Sequence, residues 1–229
     1  MNVPTPETFE SWNEEMSRKY NPDHYHNSTN VLLRFIEGRR TWAIINALHI
    51  DEHEDVLDIG CGAGNMLEKI PGMRTGIDLS DTMIERSRNK LGDDVTLLKM
   101  SAENLQFEDE SFDKIICSEV IEHVLHPQKV LKEIARTLRP GGLAAVSIPN
   151  ERLIARTKWL LQHSGLRFLM KNQGETNVED VDNEWHLHQG SMQLFEQWNR
   201  GLLPIVRTDK IPFHLLPFRY VFLLAKPHT

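Results

Sequence analysis

The sequence predicts an α/β fold in which helices cover both faces of a mainly parallel sheet. Between Asp55 and Pro149, short apolar segments of strand length alternate with amphipathic helical segments, the order that builds parallel sheets. The segment Leu143–Ile148 is almost uninterruptedly apolar, as expected of a strand that is buried on both faces. The chain of 229 residues is long enough to bury one substantial core, so a single domain is expected.

The predicted elements follow one another with short connections. Ser80 is typical of a helix N-cap, and Pro127 of a first helical turn. Strands are expected at Asp55–Ile59, Arg74–Asp78, Val95–Lys99, Asp113–Ser118, Leu143–Ile148, Val206–Thr208 and Tyr220–Ala225. Helical segments are expected at Asn65–Ile70, after Ser80, at Pro127–Leu138, at Glu151–Lys171 and at Met192–Trp198.

An amphipathic stretch precedes the first strand. From Val31 to Leu48 the apolar residues recur at spacings of three and four, which predicts a helix with one buried face. Gly38 and the pair Arg39-Arg40 interrupt that face. We therefore expect two short helices or one broken helix in this stretch.

The composition excludes several classes of protein. No apolar run of about 18 residues occurs, so no predicted helix can span a bilayer. Residues 1–15 are rich in glutamate and lack an apolar core, which is unlike a signal peptide. The two cysteines, Cys61 and Cys117, are too few for a disulfide framework and favour a reducing, cytoplasmic compartment. A net charge of −7 argues against a nucleic-acid partner.

A glycine-rich loop follows the first strand. Val56–Gly64 has the sequence V-L-D-I-G-C-G-A-G, and its glycines allow a tight turn and the close approach of a ligand. The dinucleotide fingerprint G-x-G-x-x-G would need a third glycine where Asn65 stands. The next strand ends in Asp78, whose carboxylate can accept both hydroxyls of a ribose. A plain turn and an acid at a helix N-terminus are the structural alternatives.

Four segments in order resemble the motifs of class I S-adenosylmethionine-dependent methyltransferases of the small-molecule type. Asp58–Gly62 resembles the first motif, Gly76–Ser80 the second, Leu98–Phe107 with Ser111–Asp113 the third, and Leu138–Gly142 the turn before the fifth strand. The resemblance covers roughly residues 50–150. It implies a Rossmann-like sheet of seven strands with the last one antiparallel, an insertion after strand 5, and S-adenosyl-L-methionine as the cofactor.

The resemblance also implies which residues bind the cofactor. Ser101 stands where the family often has an acid, and its hydroxyl accepts a hydrogen bond more weakly than a carboxylate would. The implied residues are Asp58, Gly60, Cys61 and Gly62 for the methionine moiety, Asp78 and Leu79 for the ribose, and Ser101, Ala102 and Glu103 for the adenine.

Arg40 and Ser118 complete the expected cofactor site. Members of the family from ubiquinone synthesis use an arginine near the position of Arg40 to contact the cofactor's carboxylate, and a planar guanidinium suits a carboxylate. The alternative for Arg40 is an exposed helix arginine. Ser118 ends the fourth strand and is expected near the cofactor.

The segment after the fourth strand carries the pattern E-x-x-E-H, formed by Glu119, Glu122 and His123. On one helical turn these side chains would converge, so they can act as a base or bind a hard divalent cation such as magnesium. The pattern resembles that of the ubiquinone-pathway O-methyltransferases, whose corresponding residues are thought to hold a metal. The alternative is a packed histidine beside solvated glutamates.

An insertion from Asn150 to Gln189 follows the fifth strand. Its first part is basic and apolar, and a basic amphipathic helix at 151–171 can lie on an anionic membrane surface. The ubiquinone-pathway enzymes resemble the chain here too, with a membrane-touching insert at this place. The alternative is a lid packed over the active site. Both suit an apolar or amphiphilic acceptor.

The same insertion ends in Trp185-His186-Leu187-His188. In an extended segment, alternate residues point to one side, so His186 and His188 are expected to face the same way. Either can serve as the catalytic base, or both can complete a metal site. Two exposed loop histidines are the alternative.

The sequence therefore predicts a methyltransferase acting on an oxygen, or else a nitrogen or carbon, of a small apolar molecule. A catalytically silent cofactor-binding subunit and a nicotinamide-dependent oxidoreductase are the alternatives, and the oligomeric state is open. The expected organisation is a helical cap at 1–50, a cofactor-binding core at 51–150, an insertion at 151–189, and a closing helix with two strands at 190–229.

Overall fold

The computed structural model describes residues 4–19, 31–164 and 185–228, which build one seven-stranded sheet. The order across the sheet is β3-β2-β1-β4-β5-β7-β6. All pairs are parallel except those of β7, which is antiparallel to both its neighbours. The strands are β1 (Asp55–Ile59), β2 (Met73–Asp78), β3 (Thr96–Lys99), β4 (Phe112–Ser118), β5 (Leu138–Pro149), β6 (Ile205–Phe213) and β7 (Leu216–Ala225).

Six α-helices of the described residues flank this sheet. They are α1 (Phe9–Lys19), α2 (Val31–Leu48), α3 (Asp81–Leu91), α4 (Pro127–Thr137), α5 (Glu151–His163) and α6 (Met192–Trp198), with short 3-10 turns at Leu67–Lys69 and Ile121–His123. The predicted α/β fold, with its mostly parallel sheet and antiparallel last strand, is confirmed. The last strand is inserted between β5 and β6 rather than lying at an edge.

Two apolar clusters form the core, one on each face of the sheet. Alternate residues of a strand point to opposite faces, so Leu57 of β1 belongs to one cluster and Val56 to the other. The first cluster is completed by α4 and α6, with Phe195 of α6 fully buried. The second is completed by α2 and α3. The central strands are therefore buried on both faces, which is why they read as continuous apolar runs.

The prediction that the helix before β1 breaks at Gly38 is wrong. α2 runs without interruption from Val31 to Leu48. A side chain at Gly38 would meet no atom within 4 Å, so the glycine faces open space and does not mark a turn. Two residues later, Arg40 pairs with Glu37 over 2.6 Å inside the protein. Of the two arginines that interrupt the apolar face, Arg40 thus belongs to a buried ion pair, whereas Arg39 is exposed and lies over the ring of Trp42.

Several element boundaries also differ from the prediction. β5 begins at Leu138 rather than Leu143, because its pairing with β4 continues through an irregularity in register around Pro140-Gly141. β6 and β7 are longer than predicted and form a hairpin. Within the described residues, helix α5 covers Glu151–His163; the predicted continuation to Lys171 lies outside them. No helix among the described residues is long and apolar enough to cross a bilayer.

Gly38→Ala is expected to raise the free energy of unfolding by about 0.5–1 kcal/mol, because alanine costs less conformational entropy in an exposed helix interior. The matched substitution Gly60→Ala is expected to lower it. Gly60 has φ +68, and a side chain there would overlap Cγ2 of Val120. Urea unfolding of both variants measures the two effects. Equal effects of the same sign would contradict the structure.

Candidate active site

A cavity of about 260 Å³ opens at the carboxyl ends of β1, β2 and β4. The strand order reverses between β1 and β4, and ligands of open α/β sheets bind at such switch points. Every residue predicted for the cofactor lines this cavity except Glu103. Of the predicted catalytic residues, Glu119, Glu122, His123 and His186 line it, and His188 does not.

The glycine loop forms the floor of the cavity. Gly60, Gly62 and Gly64 have φ values of +68, +53 and +79, a region that other residues rarely adopt. The backbone N–H of Cys61 donates to the carbonyl of Ile77 over 2.9 Å, which fastens the loop to β2. The turn therefore brings bare backbone to the cavity.

Two aspartates stand at the ends of the strands beside this loop. The Asp78 carboxylate accepts the N–H of Gly62 over 3.0 Å and that of Ser80 over 2.9 Å, so it joins the loop to the start of α3. Asp58 is buried, and its Oδ2 has no hydrogen-bond partner within the described part of the chain. Burial raises the pKa of Asp78 to about 6. Burial and the charge of Asp78 raise the pKa of Asp58 to about 8. A cationic or donor ligand would therefore stabilise both carboxylates.

The far end of the cavity is lined by Ser101 and Ala102. Glu103 is turned away from it: its carboxylate accepts the N–H of His126 over 2.9 Å and lies 2.7 Å from the His126 ring nitrogen. That position is the N-terminus of α4, where a helix favours an acid. The prediction that Glu103 contributes to the adenine site is therefore not met.

Arg40 is buried in the cavity wall and is not an exposed helix arginine. Its guanidinium lies 2.6 Å from Glu37 and 3.4 Å from Glu119. Arg219 of β7 lies 2.6 Å from the same Glu119 oxygen. Glu37 and Arg40 are buried, whereas Glu119 and Arg219 are half-buried; these four residues are called the charged quartet below. Its charges balance, and the Nε of Arg40 has no hydrogen-bond partner among the described residues.

Glu119 is committed to this quartet, contrary to the prediction that it acts as a base or binds a metal. Burial acts to raise its pKa, but Arg219 and Arg40 outweigh burial and hold the pKa below its ordinary value. Its Oε1 accepts the hydroxyl of Ser147 over 2.9 Å, and the hydroxyls of Ser147 and Ser118 lie 3.0 Å apart. The backbone of Glu119 has φ +57, so it is not in a helical turn with Glu122 and the spacing argument fails.

A different group of side chains comes together at the same end of the cavity. Possible ligand atoms of Glu122, His123 and His186 lie within 4.8 Å of one another. Burial and then the charge of Glu119 raise the pKa of Glu122 to about 8. Burial lowers the pKa of His123 to about 3. At neutral pH the His123 ring is therefore neutral, and Glu122 is largely protonated.

His186 and His188 do not face the same way. The Nδ1 of His186 lies 2.7 Å from Glu151 at the start of α5, and its ring lines the cavity. The Nε2 of His188 lies 2.9 Å from the carbonyl of Val124, and His188 itself does not line the cavity. The N–H groups of Leu187 and His188 both donate to the carbonyl of Glu122. The segment is therefore bent, and the alternation expected of an extended strand does not apply.

Several lining residues have no signal in the sequence. They are contributed by α1, by the middle of α2 and by β7, which lie far from the motifs. Nothing in their spacing distinguishes them from ordinary helix or strand residues, although the basic residue in the otherwise apolar β7 was a usable hint. Examples are Phe9, Asn13, Ser17, Glu37, Thr41 and Arg219.

Glu122→Gln is expected to stabilise the protein more at pH 8 than at pH 5. A carboxyl whose pKa is raised to about 8 on folding, from 4.5, binds its proton more tightly in the folded state. Its contribution to stability is therefore full below the unfolded pKa and is lost as pH rises through the folded pKa. Glutamine does not titrate, so the variant escapes that loss. Urea unfolding beside the wild type gives the difference; a difference independent of pH would contradict the burial of this carboxyl.

Comparison with known proteins places these features in a family. The methyltransferase domain family matches residues 57–146. The ubiquinone biosynthesis O-methyltransferase of Parvibaculum lavamentivorans is 31% identical over 186 residues, which are 71% of this chain and 72% of that protein. The protein of the same name from Coxiella burnetii is 29% identical over 150 residues, 63% of this chain and 58% of its own length.

A solved structure adds the same fold. The 1,6-didemethyltoxoflavin-N1-methyltransferase of Burkholderia thailandensis, with bound S-adenosylhomocysteine, aligns over 99% of this chain and 92% of its own at a TM-score of 0.63 and 17% identity. At that identity the likeness concerns the fold.

Proposed function

The chain belongs to the class I S-adenosylmethionine-dependent methyltransferases, and on that premise we propose that it methylates a hydroxyl oxygen of a small apolar or amphiphilic acceptor, such as a quinone precursor or a lipid-like phenol. A nitrogen or carbon acceptor is the alternative. Family membership argues against the nicotinamide-dependent oxidoreductase. The observation that carries the proposal is the pair formed by His186 and Glu151, 2.7 Å apart at the cavity, because a hydroxyl acceptor needs a base.

The cavity suits the cofactor of this family. The bare glycine backbone is open to a ligand. The Oδ2 of the buried Asp58 and the Nε of the buried Arg40 have no hydrogen-bond partner in the described part of the chain, and a zwitterionic ligand would satisfy both. S-adenosylmethionine supplies a methyl group on a sulfonium, a good leaving group without a metal. We assign Asp58, Gly60, Cys61 and Gly62 to its methionine moiety, Arg40 to its carboxylate, Asp78 and Leu79 to its ribose, Ser101 and Ala102 to its adenine, and Ser118 to the wall near the methyl group.

Asp78 can take the ribose although it already binds two backbone N–H groups. Each carboxylate oxygen has two acceptor sites, and each of those of Asp78 uses one in the contacts with Gly62 and Ser80. The remaining sites can accept the two ribose hydroxyls. The same contacts hold the carboxylate in place before the ligand arrives, so little ordering is needed on binding.

His186 is the proposed base. A proton on its Nδ1 would be donated to Glu151, which leaves the other ring nitrogen able to accept a proton from the acceptor. Glu151 would fix the ring and stabilise its charged form, as a carboxylate does beside a catalytic histidine. His123 lies beside it, with ring centroids 4.8 Å apart, and is neutral because burial lowers its pKa to about 3. It therefore adds no charge that would oppose protonation of His186.

The acceptor is expected to be an aromatic or otherwise apolar hydroxyl compound. The ring of Trp185 is tilted by 40° against that of His123 with ring centroids 4.7 Å apart, and both line the cavity. Flat apolar walls favour flat apolar ligands. The two relatives named above are called ubiquinone biosynthesis O-methyltransferases, which agrees with a phenol-like acceptor.

A divalent cation is a second candidate for the same end of the cavity. Glu122, His123 and His186 offer one oxygen and two nitrogen ligands within 4.8 Å. The predicted set with Glu119 is not available, because Glu119 is paired with two arginines. Two imidazoles suit zinc or iron better than the magnesium expected from the sequence. Full activity after exhaustive chelation would exclude this candidate.

Contact of residues 151–171 with a membrane surface is proposed for the described part of that segment. Trp159 and Leu160 of α5 are each 58% exposed, and Arg152 and Arg156 are exposed too. Exposed apolar side chains among arginines favour an anionic surface. Sedimentation with vesicles of phosphatidylglycerol, against neutral phosphatidylcholine vesicles, tests it; equal recovery with both would contradict it.

The transfer itself is tested with methyl-labelled cofactor and a panel of catechols, phenols and amines. The expected product is a methyl ether of a phenol or catechol, identified by mass spectrometry. Transfer to amines alone would overturn the hydroxyl assignment. Cofactor binding without transfer to any panel member or to a cell extract would favour the silent binding subunit.

A further inference from the structure

Helix α1 contributes to the cavity wall. The half of the cavity that would hold the cofactor is called the cofactor half below, and the half that would hold the acceptor is called the acceptor half. Phe9, Asn13 and Ser17 line the cavity from this helix. On a neighbouring side, Trp12 and Trp185 pack against Met16, and Trp185 is the residue next to the proposed base. α1 therefore touches both the segment that would hold the acceptor and the strand ends that would hold the cofactor.

One carboxylate fastens α1 to the cofactor half. Glu14 accepts the hydroxyl of Ser80 over 2.6 Å and the hydroxyl of Thr82 over 2.5 Å. Both donors belong to the first turn of α3, where an acid is stabilised by the helix dipole. Ser80 in turn donates its N–H to Asp78 over 2.9 Å. A chain of hydrogen bonds thus runs from Asp78 through Ser80 to α1.

Other side chains of α1 also anchor this helix. Phe9, Met16 and Ser17 are buried, and Arg18 donates to the hydroxyl of Thr82 over 3.4 Å. A salt bridge of 2.7 Å joins Glu10 to Lys99, but Glu10 is 61% exposed, so that bridge contributes little. An 11-residue helix is marginal without tertiary contacts. Among the described contacts, Glu14 joins α1 to Ser80, and Met16 joins it to Trp185.

We propose that Glu14 is a positioning residue through which an occupied cofactor site orders the acceptor site. Resting on the function proposed above, the acceptor then binds more tightly after the cofactor. A ligand on Asp78 fixes the turn at Ser80, the turn fixes α1 through Glu14, and α1 fixes Trp185. Binding of the first ligand orders α1 and so carries the loss of conformational entropy, and binding of the second ligand then costs less entropy. The coupling is reciprocal.

The test reads Trp185 directly and needs no acceptor. Acrylamide quenching of tryptophan fluorescence is measured with and without S-adenosylhomocysteine, and the difference between the full chain and its Trp185→Phe variant isolates the signal of Trp185. We expect the ligand to protect Trp185 in the wild type and in the control Glu15→Ala, which alters an exposed residue of the same helix. Protection should be lost in Glu14→Ala and reduced in Glu14→Gln, which keeps one acceptor oxygen.

Binding and turnover supply the second readout. Glu14→Ala should raise the Kd of S-adenosylhomocysteine about tenfold, because the carboxylate's hydrogen bonds to the Ser80 turn are lost. Once an acceptor is found by the panel above, its KM should rise while kcat at saturation stays near the wild-type value. A raised Kd with unchanged protection of Trp185 would overturn the proposal, and so would unchanged values of both. Protection of Trp185 without any methyl transfer would contradict the proposed function but not the role of Glu14.

Discussion

Asp78→Asn should weaken the binding of S-adenosylhomocysteine by about two orders of magnitude. Hydrogen bonds to a charged acceptor contribute about 1.5–3 kcal/mol each, and about 2.7 kcal/mol corresponds to that loss. The amide also presents an NH2 group to one of the two backbone N–H groups that the carboxylate now accepts, those of Gly62 and Ser80. The loop and the ribose site are therefore both disturbed. Isothermal titration calorimetry gives the affinity.

The matched control is Asp81→Asn, three residues further along the chain. Asp81 pairs with Lys99 over 2.6 Å and does not line the cavity, so its replacement should leave the affinity unchanged. Circular dichroism and urea unfolding separate loss of the site from loss of the fold. Wild-type affinity in Asp78→Asn would mean that the ribose binds elsewhere.

His186→Ala should lower kcat by a factor of about 10² to 10⁴, the range for a removed general base, and should leave the affinity for S-adenosylhomocysteine unchanged. The residual rate should rise with pH until the acceptor is ionised in solution, because the reaction then depends on acceptor that has already lost its proton. The wild-type rate should depend less on pH over the same range. Initial rates with the best acceptor of the panel measure both effects.

His188→Ala is the matched control for the base. It removes a histidine two residues away that does not line the cavity and whose Nε2 lies 2.9 Å from the carbonyl of Val124, so kcat should stay near the wild-type value. The kcat of Glu151→Gln should lie between those of His186→Ala and His188→Ala, because this substitution disturbs only the orientation of His186. Equal losses in His186→Ala and His188→Ala would contradict the assignment.

The local motifs were predictable because each depends on neighbouring residues. The glycine loop and Asp78 follow directly after strands whose apolar pattern is strong, and the carboxyl ends of parallel strands meet at one edge of the sheet. Their place in the cavity could therefore be predicted from the strand order alone. The family resemblance supplied Arg40, whose burial nothing in its own segment indicates.

Several side chains lie elsewhere than the sequence predicts, because their positions depend on contacts with residues far along the chain. Glu119 pairs with Arg219 rather than forming a site with Glu122. Glu103 pairs with His126 rather than lining the cavity. The sequence predicts an extended segment at His186 and His188, whereas the N–H groups of Leu187 and His188 both donate to the carbonyl of Glu122 and the segment is bent. The periodicity of apolar residues indicates the helix or strand to which a residue belongs, and it gives no information about contacts with residues far along the chain.

The antiparallel direction of β7 has a consequence for the order in which the site can be completed. Because β7 runs against β5, its first residues lie at the edge where the parallel strands end, and Arg219 pairs there with Pro149. Ribosomes make the chain from its N-terminus, so Arg40 and Glu119 exist long before Arg219 does. Until β7 docks, Glu119 would lack its nearer cation, and burying it would be costly. Glu119 therefore obtains its nearer cation only once β7 has been synthesised and has paired with β5.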